Sequence, residues 1–256
     1  MLQSTDQFIV RFAQDQNDLR AAQHLRYRVF VQELHGDGAG VDHEKRIEAD
    51  EFDAHADHLL LLDQKRAMGD QIVGVYRLLS SEGARKAGGF YSSSEFDLSL
   101  LINSGRSLLE LGRSCIAADY RGGTGMLHLW AALAAHVQDA GIDTLFGVAS
   151  FHGADPEQHA LPLAYLRTNY LADADRRPRS RAYHAMDGLE FTPETRKAAL
   201  QQMPALIKAY LRLGGKVGDG AFVDQAFNTV DVCLTLDTAD LAARSKLFLM
   251  LEEPNA

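Results

Sequence analysis

Residues 108–137 constrain the fold most, because they predict a strand, a glycine-rich turn and a buried helix in direct succession. The strand half carries Glu110, Arg113 and Ser114 in an otherwise apolar run, and charges in a half-buried strand are costly unless they are paired or used. The turn DYRGGTG contains three glycines in four residues, so its backbone N–H groups can approach a ligand closely. We therefore expect the functional site to lie at this turn.

The helix after the turn is predicted from apolar side chains that recur at helical spacing. These are Met126, Leu129, Trp130, Leu133, Ala134 and Val137. Thr124 is the expected N-cap, and Gly141 is the expected C-cap. Because a helix N-terminus behind a glycine turn favours anions, a phosphate is the expected ligand. Its site would comprise Arg121, Gly122, Gly123, Thr124 and Gly125. Glycine turns also precede helices in proteins without such a ligand, and the turn alone leaves that alternative open.

Composition excludes several classes of protein. The net charge of −9 argues against a nucleic-acid binder, whose surface should be basic. Cys115 and Cys233 each lie in a predicted strand, where small buried side chains are more frequent than a disulfide or a metal pair. No export signal and no run of about 18 apolar residues is present, so we expect a cytoplasmic protein.

The N-terminal part of the chain predicts a strand, a helix and a long loop. Residues 8–12 alternate apolar and polar side chains, as a half-buried strand does. Asn17 or Asp18 is the expected cap of the helix that follows. Residues 35–57 show little periodicity, which predicts a loop.

Residues 43–58, nearly all of them in this loop, include histidines and carboxylates, which are potential metal ligands. They are His43, His55, His58, Asp50, Asp53 and Asp57. Their spacings match no tetrahedral ligand pattern, and a solvated acidic loop is the more frequent origin of such a run. We therefore expect no metal.

Two strands, 59–63 and 71–79, follow as an antiparallel hairpin. Arg77 lies near the end of the second strand, where its side chain either faces solvent or belongs to the functional site. Residues 80–107 are polar and predict a loop folded over another part of the molecule, because they include the aromatic residues Phe90, Tyr91 and Phe96.

The C-terminal half predicts a strand at 143–150 and a helix that begins at Asp155 and ends near Leu171. The remaining elements are a helix over 195–213 with a kink at Pro204, a β-hairpin region over 216–236 and a short helix over 241–252. We expect a core of residues 1–172 and an extension of residues 173–256 packed on it, forming a single domain overall.

Four arginines fall within six residues of this acidic chain. They are Arg176, Arg177, Arg179 and Arg181. Such a run is often only a solvated loop. The alternative is a docking patch for an acidic partner, because a local basic field steers association even when the net charge opposes it.

The order of these elements resembles the GNAT acyltransferase fold. The resemblance implies an α/β fold with a mixed central sheet flanked by helices, here with a C-terminal helix and β-hairpin extension. It also implies that the strand bearing Glu110 splays from its neighbour and that the turn amides hold the phosphate of an acyl-pantetheine donor. The chain departs from the family signature, because Thr124 and Met126 occupy the two small-residue positions counted from Arg121. A single pantetheine phosphate is therefore implied, with no full coenzyme A pyrophosphate cradle.

Four motifs look like those of acyl-homoserine-lactone synthases: LRYRVFVQEL, DEFD, VGVYRLL and LELGR. By that likeness the functional positions are Arg26, Phe30, Asp50, Asp53, Arg77, Glu110 and Arg113. Two further stretches, ASFHGADPEQHALPLAYL and IKAYLRLGGKVGDGAFVDQAFNTVDV, look like bacterial ornithine-acyl carrier protein N-acyltransferases. This second likeness covers nearly the entire chain.

The resemblance implies an enzyme that moves a 3-hydroxyacyl group from acyl carrier protein to the α-amine of L-ornithine, forming lyso-ornithine lipid. No tightly bound cofactor is implied, because the acyl-phosphopantetheine of the carrier protein is the donor. An amine must lose a proton before it attacks a thioester, so we expect Glu110 to take that proton, directly or through water, while Arg113 orients it. The alternative is a structural Glu110–Arg113 ion pair.

The same resemblance suggests how the substrates are held. Asp50 and Asp53 would bind the ornithine side-chain ammonium, and Arg77 or Arg26 its carboxylate. Each of these residues could instead tie the long loop to the core. The arginine cluster would dock the carrier protein, and peripheral contact with the inner membrane is compatible with a cytoplasmic enzyme.

Two other functions stay open from the sequence. One is an acyl-homoserine-lactone synthase that uses S-adenosylmethionine. The other is a non-catalytic acyl-binding or hemolysin-like protein, against which the lack of a membrane-spanning run counts.

Overall fold

The computed structural model describes residues 3–4 and 7–240. Thirteen strands occur in that part of the chain: β1 (Gln3–Ser4), β2 (Phe8–Phe12), β3 (Val41–Asp42), β4 (Ile47–Glu48), β5 (Asp57–Asp63), β6 (Ile72–Ser80), β7 (Phe96–Asp97), β8 (Leu108–Ile116), β9 (Thr144–His152), β10 (Arg179–Ser180), β11 (Lys216–Val217), β12 (Phe222–Asp224) and β13 (Thr229–Asp237). The same residues form seven α-helices: α1 (Gln16–Arg26), α2 (Ser81–Ala87), α3 (Ser99–Ile102), α4 (Gly125–Asp139), α5 (Ala160–Tyr170), α6 (Arg196–Gln202) and α7 (Ala205–Arg212).

The chain divides into two compact units. The first contains the residues up to Tyr91 together with Leu109–Gly141. The second contains Ser92–Leu108 together with the residues from Ile142 onward. The predicted boundary near residue 172 stays a prediction.

The first unit is built on antiparallel strands in the order β1, β2, β5, β6 and β8. Both α1 and α4 contact β5 and β6. Leu60 of β5 belongs to a buried cluster with Leu25 of α1, whereas Leu61 lies against Gly125 at the start of α4. Strand β5 is therefore covered on both faces, which explains its continuous apolar run.

Strand β8 carries a bulge opposite β6. Arg77 pairs with Gly112 and Val75 pairs with Cys115, so two β8 residues stand against one residue of β6. One of the two is Arg113, whose φ is 49°. A bulge re-aims a side chain, so Arg113 departs from the strict alternation of a strand.

The second unit contains an antiparallel group in which β13 pairs with β9, β11 and β12. A separate two-stranded ladder joins β7 to β10. Apolar side chains of β9, α5 and β13, such as Phe151, Leu163 and Val232, are at most 1% exposed and form its interior. Within the described residues, no helix combines the length and apolar character needed to cross a bilayer.

Most of the strands and the long helices lie where the sequence predicts them. Strand β2 covers residues 8–12, β5 and β6 form the expected antiparallel hairpin, and α5 ends at Tyr170. Cys115 and Cys233 are buried free thiols, as expected.

Several local predictions were wrong. The cap of α1 is Asp15, whose carboxylate accepts the N–H groups of Asn17 and Asp18, so neither of these two residues is the cap. The loop predicted over residues 35–57 contains β3, β4 and a 3-10 turn, Glu51–His55. Elements this short carry no periodicity that a sequence pattern could detect.

Two further predictions need correction, and one lies outside the described residues. The loop expected over 80–107 contains α2, which Ser80 caps through the N–H of Gly83, and also α3. The kinked helix expected over 195–213 is two helices, α6 and α7, because Pro204 ends the first run and begins the second. The closing helix expected over 241–252 lies outside the described residues.

Candidate active site

Three arginines and three carboxylates of the first unit form a closed ring of alternating charge, called here the ion-pair ring. In order around the ring they are Arg26, Glu48, Arg113, Asp50, Arg77 and Asp53, and the last contacts the first. Three positive and three negative charges make the ring neutral overall. Neutrality matters because an uncompensated charge at such depth costs several kcal/mol, of order 3–5.

Arg26 anchors the ring from the end of α1. Its Nη1 and Nη2 donate to the two carboxylate oxygens of Asp53 at 2.8 and 3.0 Å. Its Nε donates to Glu48 Oε2 at 2.5 Å, and Nη2 also reaches the Glu48 carbonyl at 2.8 Å. Asp53 accepts a further bond from Gln23 Nε2 at 2.9 Å. The Arg26 guanidinium is therefore held in a bidentate fork, the strongest geometry for this pair.

Arg77 and Arg113 close the ring from two neighbouring strands. Arg77 Nη1 donates to Asp53 Oδ1 at 2.9 Å and also bonds to Asp50. Arg113 Nε donates to Glu48 Oε1 at 2.9 Å, and its Nη2 donates to Asp50 Oδ2 at 3.1 Å. Arg77 is 2% exposed, so of the two sequence alternatives the solvent-facing one is wrong.

Burial and opposite charge act against each other in the ring. Burial alone would raise the pKa of Asp53, but the guanidiniums of Arg26 and Arg77 hold that pKa well below its usual range. Burial would likewise lower the pKa of Arg113, but Tyr91, Glu48 and Asp50 raise it well above the ordinary value. The ring residues Asp53 and Arg113 are thus ionised at neutral pH.

Local features of the chain bring the ring residues together. Asp50 begins the 3-10 turn by accepting the Phe52 N–H at 3.0 Å, which fixes its carboxylate. The β3–β4 hairpin presents Glu48, and the β8 bulge redirects Arg113. The ring therefore ties the segment after α1 to strands β6 and β8.

Tyr91 joins the ring to Glu110. Its ring lies 4.5 Å from the Arg113 guanidinium carbon and 5.5 Å from that of Arg77, distances that favour cation–π attraction. Its N–H donates to Glu110 Oε2 at 2.8 Å. Glu110, on β8, is 3% exposed. The carboxylate predicted as the base is therefore oriented by the same residue that packs on the ring.

The glycine turn lies between β8 and α4. Gly122, Gly123 and Thr124 are exposed, and Gly122 has φ 76°, which favours glycine. Within the described residues, the N–H groups of Gly122 to Gly125 donate no hydrogen bond. A ligand with anionic oxygens could therefore be bound by these amides at the N-terminus of α4.

Arg121 and Phe30, two of the predicted site residues, have other surroundings. Arg121 Nε donates to the Ile116 carbonyl at 3.0 Å, and its Nη2 pairs with Glu33 at 2.5 Å. Phe30 lies in a π-helix, Tyr27–Glu33, and packs partly buried against the core cluster. Neither residue contributes to the ion-pair ring.

The four arginines of the predicted docking patch lie in the second unit, and all have contacts within it. Arg176 pairs with Asp173 and Asp237, and Arg177 bonds to a carbonyl. Arg179 and Arg181 are exposed; the first stacks on Tyr183 and the second donates to the Ser93 carbonyl.

Three residues of the site were not found from the sequence: Gln23, Glu48 and Tyr91. Gln23 lies three residues before Arg26, which places both on one helix face. Three arginines but only two carboxylates of the ion-pair ring were predicted from the sequence. Charge balance would have indicated a third carboxylate, such as Glu48. Tyr91 was noticed only as one aromatic residue of a polar stretch.

His58 is expected to make stability depend on pH. Its Nε2 contacts the Asp53 carbonyl at 3.1 Å, and burial lowers its pKa. Below about pH 6.5 the unfolded chain therefore takes up a proton that folded His58 resists. The free energy of unfolding should fall as the pH drops, by at most about 1.4 kcal/mol per pH unit. Urea unfolding between pH 7.5 and 5.5 measures this slope.

The variant His58→Gln should show a flatter slope, and the exposed-site control His55→Gln should keep the native slope. Equal slopes for all three proteins would contradict the assignment.

Comparison with known proteins identifies the class of the chain. Residues 25–131 match the family model described as an acetyltransferase (GNAT) domain. An L-ornithine N(alpha)-acyltransferase of Rhodobacter capsulatus is 52% identical over 241 residues, covering 93% of each chain. The one of Brucella abortus is 42% identical over 241 residues, 92% of this chain and 86% of the relative. The structure of the AHL synthase LasI matches with a TM-score of 0.50 at 18% identity over 90% of each chain, which supports the fold alone.

The α/β fold and the matched domain define an acyltransferase enzyme of the GNAT class. The expected fold class is thereby confirmed. Given relatives at 52% and 42% identity over nearly the whole chain, it belongs to the family of L-ornithine N(alpha)-acyltransferases.

Proposed function

We propose that this enzyme transfers a 3-hydroxyacyl group from acyl carrier protein to the α-amine of L-ornithine, forming lyso-ornithine lipid. The observation that carries the proposal is the 52% identity to an L-ornithine N(alpha)-acyltransferase over 93% of both chains. The open amides of the glycine turn support a phosphate-bearing donor, because they stand at the N-terminus of a 15-residue helix.

Glu110 is the proposed general base. It would accept a proton from the α-ammonium of ornithine, directly or through one water molecule. The freed amine would then attack the thioester carbonyl, so that the C–N bond forms and the C–S bond breaks. The nitrogen loses one proton as the amide forms, and the leaving thiolate takes up a proton to become the thiol. The Tyr91 N–H holds one oxygen of Glu110 in place, and Arg113 would act through Tyr91, on which it stacks.

The ion-pair ring is the proposed acceptor-binding element. Arg26 and Asp53 are almost completely buried and pair with each other, so their proposed role is to position the rest of the ring. Asp50 and Arg113 retain side-chain exposures of 17% and 12%. These two could therefore face a substrate, with Asp50 binding an ammonium and Arg113 a carboxylate. The proposed role of Arg77 is to hold the Asp50 carboxylate through its ion pair. Phe30 stays a predicted contact of the substrate.

Gly123 offers a test of the donor site. A Cβ added there would meet only the Tyr120 carbonyl, at 3.7 Å, so Gly123→Ala should fold normally. The new methyl group would keep a phosphate from the backbone, and kcat/KM for the acyl donor should fall roughly tenfold, or about 1.4 kcal/mol. Steady-state kinetics with varied donor measure the effect.

The matched control is Gly188→Ala, another exposed glycine with open space around its Cβ position. Unchanged donor kinetics in Gly123→Ala would exclude a close approach of the phosphate at this residue.

Arg179 and Arg181 are the exposed members of the predicted carrier-protein docking patch. Replacing both by alanine should raise KM for acyl carrier protein several-fold at low salt and flatten its dependence on ionic strength, because exposed charges steer association. Initial rates at several salt concentrations measure this. A short acyl-pantetheine donor should react as before, and the exposed pair Arg20→Ala and Arg28→Ala should leave KM unchanged. If the double variant keeps the native KM for acyl carrier protein, Arg179 and Arg181 have no role in docking.

One experiment separates the proposed function from its rivals. The purified enzyme is given acyl carrier protein or coenzyme A thioesters together with L-ornithine, L-lysine, L-glutamine or S-adenosylmethionine, and the products are resolved by mass spectrometry. We expect N-acylornithine from the carrier-protein thioester. A neutral lactone from S-adenosylmethionine would identify a lactone synthase instead. Lysis of erythrocytes by the protein without substrates would support the non-catalytic alternative.

A further inference from the structure

A second group of acidic side chains lies in the second unit, in segments with no assigned role. Glu95, Asp224 and Asp231 each offer a carboxylate oxygen, and these three oxygens lie within 4.8 Å of one another. Glu95 is 5% exposed, Asp231 is 2% exposed and Asp224 is half-buried. Carboxylates this close together repel one another when they are ionised, and burial strengthens the repulsion.

The strand register adds a fourth oxygen to this group. Thr229 stands directly opposite Asp224 in the β12–β13 ladder, and Asp231 follows Thr229 by two positions on the same strand. Side chains at such positions project from one face of a ladder, so the Thr229 side chain lies on the same face as the two aspartates. Thr229 is 6% exposed, and its Oγ1 has no hydrogen-bond partner in the described part of the chain. Buried hydroxyls without a partner are rare in folded proteins, and a bound ion is one explanation for this one.

Backbone hydrogen bonds fix the orientation of the Asp224 carboxylate before any ligand binds. Its Oδ1 accepts the N–H groups of Ala226 and Phe227 at 2.8 and 3.1 Å, in the turn that joins β12 to β13. A carboxylate fixed by backbone amides loses little conformational freedom when it binds a ligand.

The donor set selects the kind of cation. Carboxylate and hydroxyl oxygens are hard donors, which suit Ca²⁺, Mg²⁺ or Mn²⁺, whereas Zn²⁺ prefers nitrogen and sulfur. Oxygens bind Ca²⁺ at roughly 2.3–2.6 Å, so two ligands on opposite sides of the ion stand about 5 Å apart. The 4.8 Å limit of the cluster is compatible with that spacing.

We propose that Glu95, Asp224, Asp231 and Thr229 form a binding site for a hard divalent cation. The ion would offset the repulsion of the carboxylates and tie the segment before β7 to the β12–β13 hairpin, which would stabilise the second unit. This site is separate from the loop of residues 35–57, for which the sequence predicts no metal. Its role does not depend on the proposed acyl transfer.

Mn²⁺ titration followed by electron paramagnetic resonance tests the site, because free Mn²⁺ gives a signal that weakens on binding. Full-length protein is first treated with a chelator and then titrated. We expect one site per chain in the native protein and at least a tenfold weaker affinity in Glu95→Gln and in Asp231→Asn. Thr229→Val should weaken binding less. The control Glu190→Gln, an exposed acid of the same unit, should bind as the native protein does.

Thermal unfolding provides a second measurement, which gives a result even for variants that bind no metal. Without metal, Asp231→Asn should unfold at the native temperature or above it, because it relieves repulsion. Added Ca²⁺ or Mn²⁺ should raise the unfolding temperature of the native protein and of Glu190→Gln, and should raise that of Asp231→Asn much less. The proposal is overturned if native protein binds no Mn²⁺, if the cluster variants bind it equally well, or if L-ornithine protects the native protein while metals do not. That last result would identify an ammonium site.

Discussion

Replacing Glu110 by glutamine is expected to lower kcat for acyl transfer about 10²–10⁴-fold, the usual contribution of a general base. The amide keeps the shape of the side chain, and its carbonyl oxygen can still accept the Tyr91 N–H that Glu110 accepts at 2.8 Å. The variant loses the negative charge and, with it, the ability to take up a proton. The measurement is turnover at saturating ornithine, followed as N-acylornithine by mass spectrometry.

The matched control is Glu44→Gln, which removes the same charge from an exposed position of the first unit and should retain native turnover. Circular dichroism and the unfolding temperature confirm that Glu110→Gln is folded. Turnover within a few-fold of native in the folded variant would exclude proton abstraction by Glu110 and leave it a structural role.

Opening the ion-pair ring should have the largest effect on stability. In Arg26→Met the carboxylates of Glu48 and Asp53 lose a partner that contacts them at 2.5 and 2.8 Å, and both remain buried. Removing one partner of a buried pair costs about 3–5 kcal/mol, because a charge is left uncompensated. We expect a loss of that order in the free energy of unfolding, measured with urea at pH 7.

Two further variants show whether charge or packing is responsible. Arg20→Met lies on the same helix but is exposed, and it should change stability by less than about 0.5 kcal/mol. Arg26→Lys keeps the charge but loses the bidentate fork, so its loss should fall between the other two. Native stability in Arg26→Met would show that the ring contributes nothing net to folding.

The sequence predicted the elements whose signals are local. Residues 108–137 were expected to form a strand, a glycine turn and a helix, and they form β8, the turn and α4. Apolar periodicity and glycine conformation act over a few residues, so neither depends on the rest of the chain. The same holds for β2 and for the β5–β6 hairpin.

The candidate site was predicted in part. The motifs that contain Arg26, Asp50, Asp53, Arg77 and Arg113 drew attention to these residues, but their mutual pairing and the membership of Glu48 were not predicted. Glu48 and Arg113 are 65 residues apart, and no spacing rule connects positions so distant. Residues 35–57 were predicted to form a loop for the same reason, because Glu48, Asp50 and Asp53 in that segment pair with arginines that are distant in the sequence.

Patterns within single segments were enough to predict the position of the glycine turn and the presence of charged residues in apolar strands. The class of fold was predicted from the order of these elements along the chain, through its resemblance to a known fold. The folded chain was needed to show that Arg77 is buried and that the Tyr91 N–H holds Glu110. It alone placed Thr229 beside Asp224 and Asp231. These outcomes depend on burial and on charges brought together by chain folding, and the free energy of such contacts is a property of the assembled protein.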